Sequence, residues 1–224
     1  KSGSMPPNFG LGSELKGKTL GIWGYGKIGK IVAGYGRAFG MEVQIWGSEL
    51  ARVDAVQDGY TISPSREHFF ETSDVLSVHL RLSETTLHCI NAADLARMKP
   101  TALLVNTSHT DMLDTNVLIG ALNRGRPGMA AIDVFETEPI LQGHALLRLE
   151  NCICTPHIGY VESNNYEKIF SSAFDNIVNF MRSTPSNIIN PAALQVLKTG
   201  SLRTSPVRSS KAYDPQSLGI PERL

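Results

Sequence analysis

The stretch Thr19-Leu20-Gly21-Ile22-Trp23-Gly24-Tyr25-Gly26-Lys27-Ile28-Gly29 constrains this chain more than any other. It reads as a short apolar strand that runs into G-x-G-x-x-G, with a helix continuing from Lys30 to Phe39. Gly24 permits a tight turn off the strand, Gly26 lets a pyrophosphate approach the backbone, and Gly29 lets the helix pack close to the sheet. The helix N-terminus offers unpaired N–H groups and a positive dipole end to phosphates. Alone, such a motif can be no more than a glycine-rich turn. Here a strand precedes it, a helix follows, and a second strand comes next at Glu42-Val43-Gln44-Ile45-Trp46. That context predicts a dinucleotide site built from Gly24, Gly26, Lys27, Ile28 and Gly29.

The rest of the chain repeats the alternation. Strands are expected at about 18–23, 42–46, 60–62, 75–78, 102–106, 130–134 and 152–154. Helices are expected at about 27–39, 49–57, 65–70, 91–98, 114–123 and 164–182. Asn91 and Asp114 are N-cap residues, and Pro100 follows the fourth helix. Short apolar strands alternating with helices predict an α/β fold with a doubly wound parallel sheet, Rossmann-like. Residues 14–196 form one dinucleotide-binding domain in this reading. Residues 1–13 are a Pro- and Gly-punctuated lead-in, and 197–224 an irregular, disordered tail. Lys1-Ser2-Gly3-Ser4-Met5 is either an added leader before a start at Met5 or native sequence.

With 42% hydrophobic and 19% charged residues, the composition is that of a soluble globular protein. A formal net charge of +0 gives no general attraction to nucleic acid or to a membrane surface. No apolar run is long enough to span a bilayer. Cys89, Cys152 and Cys154 are odd in number, and the last two fall on one face of a strand. Buried free thiols are expected rather than a disulfide or a metal site, and with them a reducing cytoplasm.

In open α/β sheets, ligands bind outside the carboxyl ends of the strands. Glu49 lies about 20 residues past Gly29, the spacing of a carboxylate that holds the adenosine ribose. It is equally a helix-start acid favoured by the dipole. Gly47 stands where such an acid often sits, and Arg52 is close enough to meet a 2′-phosphate. NAD is favoured over NADP only slightly. Asp133 ends a strand, where it can hold a nicotinamide carboxamide or cap a turn. Glu138 and His157 can form an acid/base unit in which the carboxylate orients the imidazole. Taken alone, two such residues this far apart are usually unrelated.

From about Glu14 to Leu194 the chain resembles the NAD-binding domain of D-isomer-specific 2-hydroxyacid dehydrogenases. The resemblance rests on Leu15 to Gly21, Gly24 to Gly29, Leu95 to Pro100, Val105-Asn106-Thr107, Asp133-Val134-Phe135 with Glu138-Pro139, and Thr155-Pro156-His157-Ile158-Gly159, in that order. It implies that Glu138 and His157 are the acid/base pair, that Thr107 and Asp133 line the cofactor site, and that the protein is a homodimer. Two departures stand out. His109 occupies the place of the family's catalytic Arg, and Asp111 follows it in Asn106-Thr107-Ser108-His109-Thr110-Asp111. Arg carries a permanent charge and a bidentate fork for a carboxylate, which His lacks. The family's substrate domain also has little counterpart here. His109 is then a weak substitute for the carboxylate anchor.

Three readings follow. The first is an NAD(P)-dependent oxidoreductase that exchanges hydride with the carbonyl or carbinol of a small molecule. The second is a dinucleotide-binding sensor, scaffold or subunit without dehydrogenase activity. The third is a catalyst of other chemistry at the same site.

Overall fold

The β1 strand, Thr19–Trp23, is apolar along almost its whole length because it lies at the centre of a sheet covered on both faces. A computed structural model describes residues 12–192 and 194. Seven parallel strands form one sheet in the order β3-β2-β1-β4-β5-β6-β7. The others are β2 Glu42–Trp46, β3 Thr61–Ile62, β4 Val75–Val78, β5 Leu103–Asn106, β6 Met129–Ile132 and β7 Cys152–Cys154. The helices are α1 Lys27–Ala38, α2 Glu49–Gln57, α3 Arg66–Thr72, α4 Ala92–Arg97, α5 Thr115–Asn123 and α6 Ser163–Met181. The doubly wound parallel sheet expected from the sequence is the fold observed. The chief shift in bounds is at β6, which ends at Ile132, so Asp133 lies just past the strand.

The strands are in register at their carboxyl ends. Trp23 pairs with Trp46 and Val78, Val78 with Asn106, Asn106 with Ile132, and Ile132 with Cys154. The residues that follow, from Gly24 to Thr155, therefore share one sheet edge. Strand order reverses between β1 and β4, which is where a doubly wound sheet opens its ligand crevice.

Two cores flank the sheet. Leu20, Ile22, Ala33, Ile45 and Ala55 pack on the side of α1 and α2. Phe69, Phe70, Leu76, Leu95, Leu104, Leu118 and Leu122 pack on the other. Each fully buried large side chain contributes about 1.5–3 kcal/mol of transfer free energy. Trp23, Phe69 and Phe70 meet edge-to-face, with centroids 5.6–6.2 Å apart.

Asp74 ties the two ends of this arrangement. Its Oδ2 accepts from the Thr19 N–H at 2.8 Å and its Oδ1 from Lys99 Nζ at 2.9 Å. Burial works to raise its pKa, but these two donors outweigh it and hold the carboxyl below its usual range. Asp74→Ala should therefore lower stability by about 1.5–3 kcal/mol, measurable by urea unfolding. Because the folded pKa is depressed, this contribution is complete above about pH 4 and is lost as pH falls through the folded value. The wild-type advantage over Asp74→Ala should shrink in acid.

The chain divides into two units, Lys1–Val161 and Glu162–Leu224. The first holds the whole sheet. The second holds α6, capped by Glu162, whose carboxylate accepts from the N–H groups of Asn164 and Asn165. Most of the lead-in expected at 1–13 and all of the tail expected at 197–224 lie outside the described residues. Among the described residues no helix is long and apolar enough to cross a membrane, and no group of three or more His, Cys, Asp or Glu is placed to hold a metal ion. All three cysteines are free and half-buried rather than fully buried. The Sγ atoms of Cys152 and Cys154 lie 3.7 Å apart on one face of β7, and burial pushes the Cys152 thiol up to about 12.

Candidate functional site

The glycine turn is shaped by what surrounds it. Gly24 has φ +99°, and a Cβ there would lie 2.6 Å from the His79 carbonyl oxygen. A Cβ on Gly29 would run into the Gly24 carbonyl, so the helix can sit this close to the strand only with glycine. Gly26 differs: a Cβ on it meets nothing within 4 Å. It is the N-cap of α1 and faces open space in a groove of about 760 Å3. Tyr25, Lys27 and Ile28 line this groove with Ser48, Ala51 and Asp54 from the β2–α2 side. His79, Leu80 and Arg81 follow β4, and Thr107 and Ser108 follow β5. A glycine with no Cβ beside the first turn of a helix is what an approaching phosphate requires. A depression of equal volume runs along α6, but it carries none of the candidate residues.

Glu49 is the first residue of α2 and lines a separate depression with Arg52, Val53, Val56, Gln57 and Ile62. It does not line the glycine groove. The Arg52 guanidinium lies over the Trp46 ring, 5.4 Å from its centroid.

Glu138 and His157 are brought together, with Oε2 and Nδ1 2.7 Å apart. Glu138 Oε1 also accepts from the Phe135 N–H at 3.0 Å, which fixes the carboxylate. The hydrogen bond to His157 first, and that from Phe135 second, hold the Glu138 carboxyl below its usual range. His157 has φ 55°, a left-handed conformation that is uncommon for a residue with a side chain and that clusters at functional sites. Asp133 holds the loop in this shape. Its Oδ1 accepts from Thr155 Oγ1 at 2.6 Å and from the Ile158 N–H at 2.9 Å, and its Oδ2 accepts from the Gly159 N–H at 2.9 Å. Burial tends to raise the Asp133 pKa, and these three donors bring it below the usual range. Most of its acceptor capacity is spent on the loop that carries His157.

A cavity of about 240 Å3 opens beside the pair, lined by Ser108, His109, Thr110, Val134, Phe135, Glu136, Glu138 and His157. His109 is therefore close to the acid/base pair. Its Nδ1 is buried and has no hydrogen-bond partner among the described residues; Asp111 Oδ2, 3.7 Å away, is too far for a hydrogen bond. Asn106 shapes this loop by donating to the His109 carbonyl and accepting from the Ser108 N–H and Oγ. Glu136, on the cavity wall, pairs with His144 Nε2 at 3.4 Å. Among the described residues the cavity thus carries two carboxylates and neither Lys nor Arg.

Sequence reasoning passed over Tyr25, Ser48, Ser108, Glu136 and the His79-Leu80-Arg81 run. The strand-end rule points at His79 to Arg81, since they follow β4 directly. His79 is half-buried, with Nε2 2.9 Å from Ser77 Oγ, and burial lowers its pKa.

Taken together, a parallel sheet with a glycine turn at its switch point and a Glu–His pair along the same edge defines a nucleotide-binding domain of the dehydrogenase type. The chain belongs to the D-isomer specific 2-hydroxyacid dehydrogenase family, matching its NAD-binding domain over residues 1–159. Its curated relatives include a glyoxylate reductase of Aeropyrum pernix, 37% identical over 195 residues that cover 87% of this chain and 58% of that protein. Among solved structures, a provisionally assigned D-3-phosphoglycerate dehydrogenase from Ralstonia solanacearum is 62% identical, with a TM-score of 0.80, covering 87% of this chain and 57% of the other. A D-lactate dehydrogenase from Aquifex aeolicus, solved with NAD and lactic acid, is 33% identical with a TM-score of 0.70, covering 81% and 58%. This chain spans a little under three fifths of the length of each.

Proposed function

We propose that this chain binds a nicotinamide dinucleotide at the Gly24–Gly29 turn and takes part in hydride exchange with the carbonyl or carbinol carbon of a small molecule. The observation that carries the proposal is the 2.7 Å Glu138–His157 pair opening on a cavity at the same sheet edge as the glycine turn. The nicotinamide supplies or accepts the hydride when bound. Glu138 faces Nδ1 of His157, which fixes the ring orientation and leaves Nε2 for the substrate oxygen. In the reducing direction Nε2 donates a proton to that oxygen; in the oxidising direction it removes one. Thr107 borders the dinucleotide and His109 the substrate. Titrating NADH or NADPH fluorescence with the protein should give saturable binding. Adding a panel of carbonyl compounds should then give oxidation of the reduced dinucleotide. Absence of binding by either form, in a folded sample, removes the proposal.

The lack of a Lys or Arg among the described residues of the cavity favours a second reading, in which the domain binds dinucleotide but does not turn over substrate and serves as a sensor, scaffold or subunit. Binding without oxidation of any carbonyl supports it. The free thiols are consistent with a reducing, cytoplasmic setting.

A homodimer through the nucleotide-binding domains belongs to the same proposal. The outer face of α1 supports it, since Ile31, Tyr35 and, just past the helix, Phe39 are each more than half exposed, a stripe that a second copy can cover. Sedimentation at micromolar concentration should give twice the chain mass; a monomer removes this part.

A further inference from the structure

We propose that the glycine groove selects the 2′-phosphorylated dinucleotide, NADP, over NAD, through Arg81 and Lys27, which line it together with Ser48. The inference rests on the dinucleotide reading above and departs from the slight preference for NAD drawn from sequence.

A carboxylate after the second strand selects NAD, because it accepts from the ribose hydroxyls and repels a 2′-phosphate. In this chain the residues directly after β2 provide no such group to the groove. Gly47 has no side chain. Ser48 lines the groove with a neutral hydroxyl, which caps α2 by accepting from the Ala51 N–H at 3.3 Å. Glu49 lines a different depression. Asp54 is the one carboxylate among the described groove residues, and it shares Lys30 Nζ, 3.4 Å away, with Asp58, which lies at 3.2 Å.

Two cations, Lys27 and Arg81, line the same groove. Neither has a carboxylate within 4.0 Å among the described residues, whereas Lys30, Arg66, Arg97 and Lys99 all do. Among the described groove residues, two cations without a carboxylate partner thus face one carboxylate that already shares a lysine, an excess of positive charge that a ribose diol does not need. A 2′-phosphate adds up to two negative charges and three strong acceptors, and an Arg near the adenosine ribose is the group that accommodates it.

The test is a fluorescence titration of the protein with NADPH and with NADH, repeated at high salt, with displacement by adenosine 2′,5′-bisphosphate and by 5′-AMP. NADPH should bind about tenfold or more tighter than NADH, and raising the salt should narrow the gap. Adenosine 2′,5′-bisphosphate should displace either dinucleotide better than 5′-AMP. Arg81→Gln should weaken NADPH about tenfold and change NADH by less than about twofold. Ser48→Asp, which returns a carboxylate to the ribose edge, should invert the preference. Equal affinity for the two dinucleotides, or an equal loss of both in Arg81→Gln, means that the cations serve only the pyrophosphate and overturns the inference. If neither dinucleotide binds, the dinucleotide reading itself falls, and this inference with it.

Discussion

Gly26→Val should abolish dinucleotide binding while leaving the protein folded. Gly26 has φ −87° and ψ −162°, an extended conformation open to any residue, and a Cβ there meets no atom within 4 Å. The valine side chain therefore costs the fold about 1 kcal/mol or less, chiefly through its poorer capping preference. Its branches instead occupy the groove where a pyrophosphate must approach the backbone. Each charge-assisted hydrogen bond lost from a phosphate oxygen costs about 1.5–3 kcal/mol. Loss of two such bonds lowers affinity by about 10²- to 10⁴-fold. Calorimetric unfolding and NADPH or NADH titration on one preparation separate the two effects. Gly29→Val is a poor substitute, since its Cβ collides with the Gly24 carbonyl and disturbs the turn itself. Undiminished binding by Gly26→Val would place the dinucleotide somewhere other than the glycine groove.

Turnover of simple 2-oxo acids such as pyruvate or glyoxylate should be very weak or absent, and uncharged aldehydes and ketones should be the better substrates. The argument is electrostatic. The cavity beside His157 is walled by Glu136 and Glu138 and, among the described residues, contains no Lys or Arg. An anionic substrate entering it loses hydration and gains no cation in return. Replacing a charge-assisted hydrogen bond by a neutral one, or by none, costs about 1.5–3 kcal/mol. That amounts to about 10- to 100-fold in rate, before repulsion by Asp111 is considered. These losses concern one interaction and do not sum. His109→Arg should restore less than about tenfold, because Asp111 is placed to pair with the new guanidinium. Any turnover observed should fall about 10²- to 10⁴-fold in His157→Asn, which removes the proton donor while leaving the glycine groove intact. Robust pyruvate reduction by the unmodified protein would mean that His109 is a sufficient anchor.

The element order was legible in the sequence because its signals are local. The 49–57 helix, the 75–78 strand and the 152–154 strand are observed at the expected bounds. Apolar strand runs, the N-cap residues Asn91 and Asp114, and Gly40 after α1 each act within a few residues. The parallel sheet follows from their alternation, and the glycine turn from three residues whose absent side chains are its whole mechanism.

Tertiary structure alone decided how these pieces meet. Glu138 and His157 are 19 residues apart, and only the parallel pairing of β6 with β7 sets their loops side by side. Asp133 can hold a carboxamide or cap a turn by its place at a strand end, and only the fold shows that it makes three hydrogen bonds to the 155–159 loop. Glu49 has the sequence spacing of a ribose ligand, but the way α2 docks turns it to a separate depression and leaves Ser48 at the groove. Spacing fixes a residue's place along an element. The direction of its side chain depends on how that element packs, and packing is set by long-range burial that no short window of sequence records.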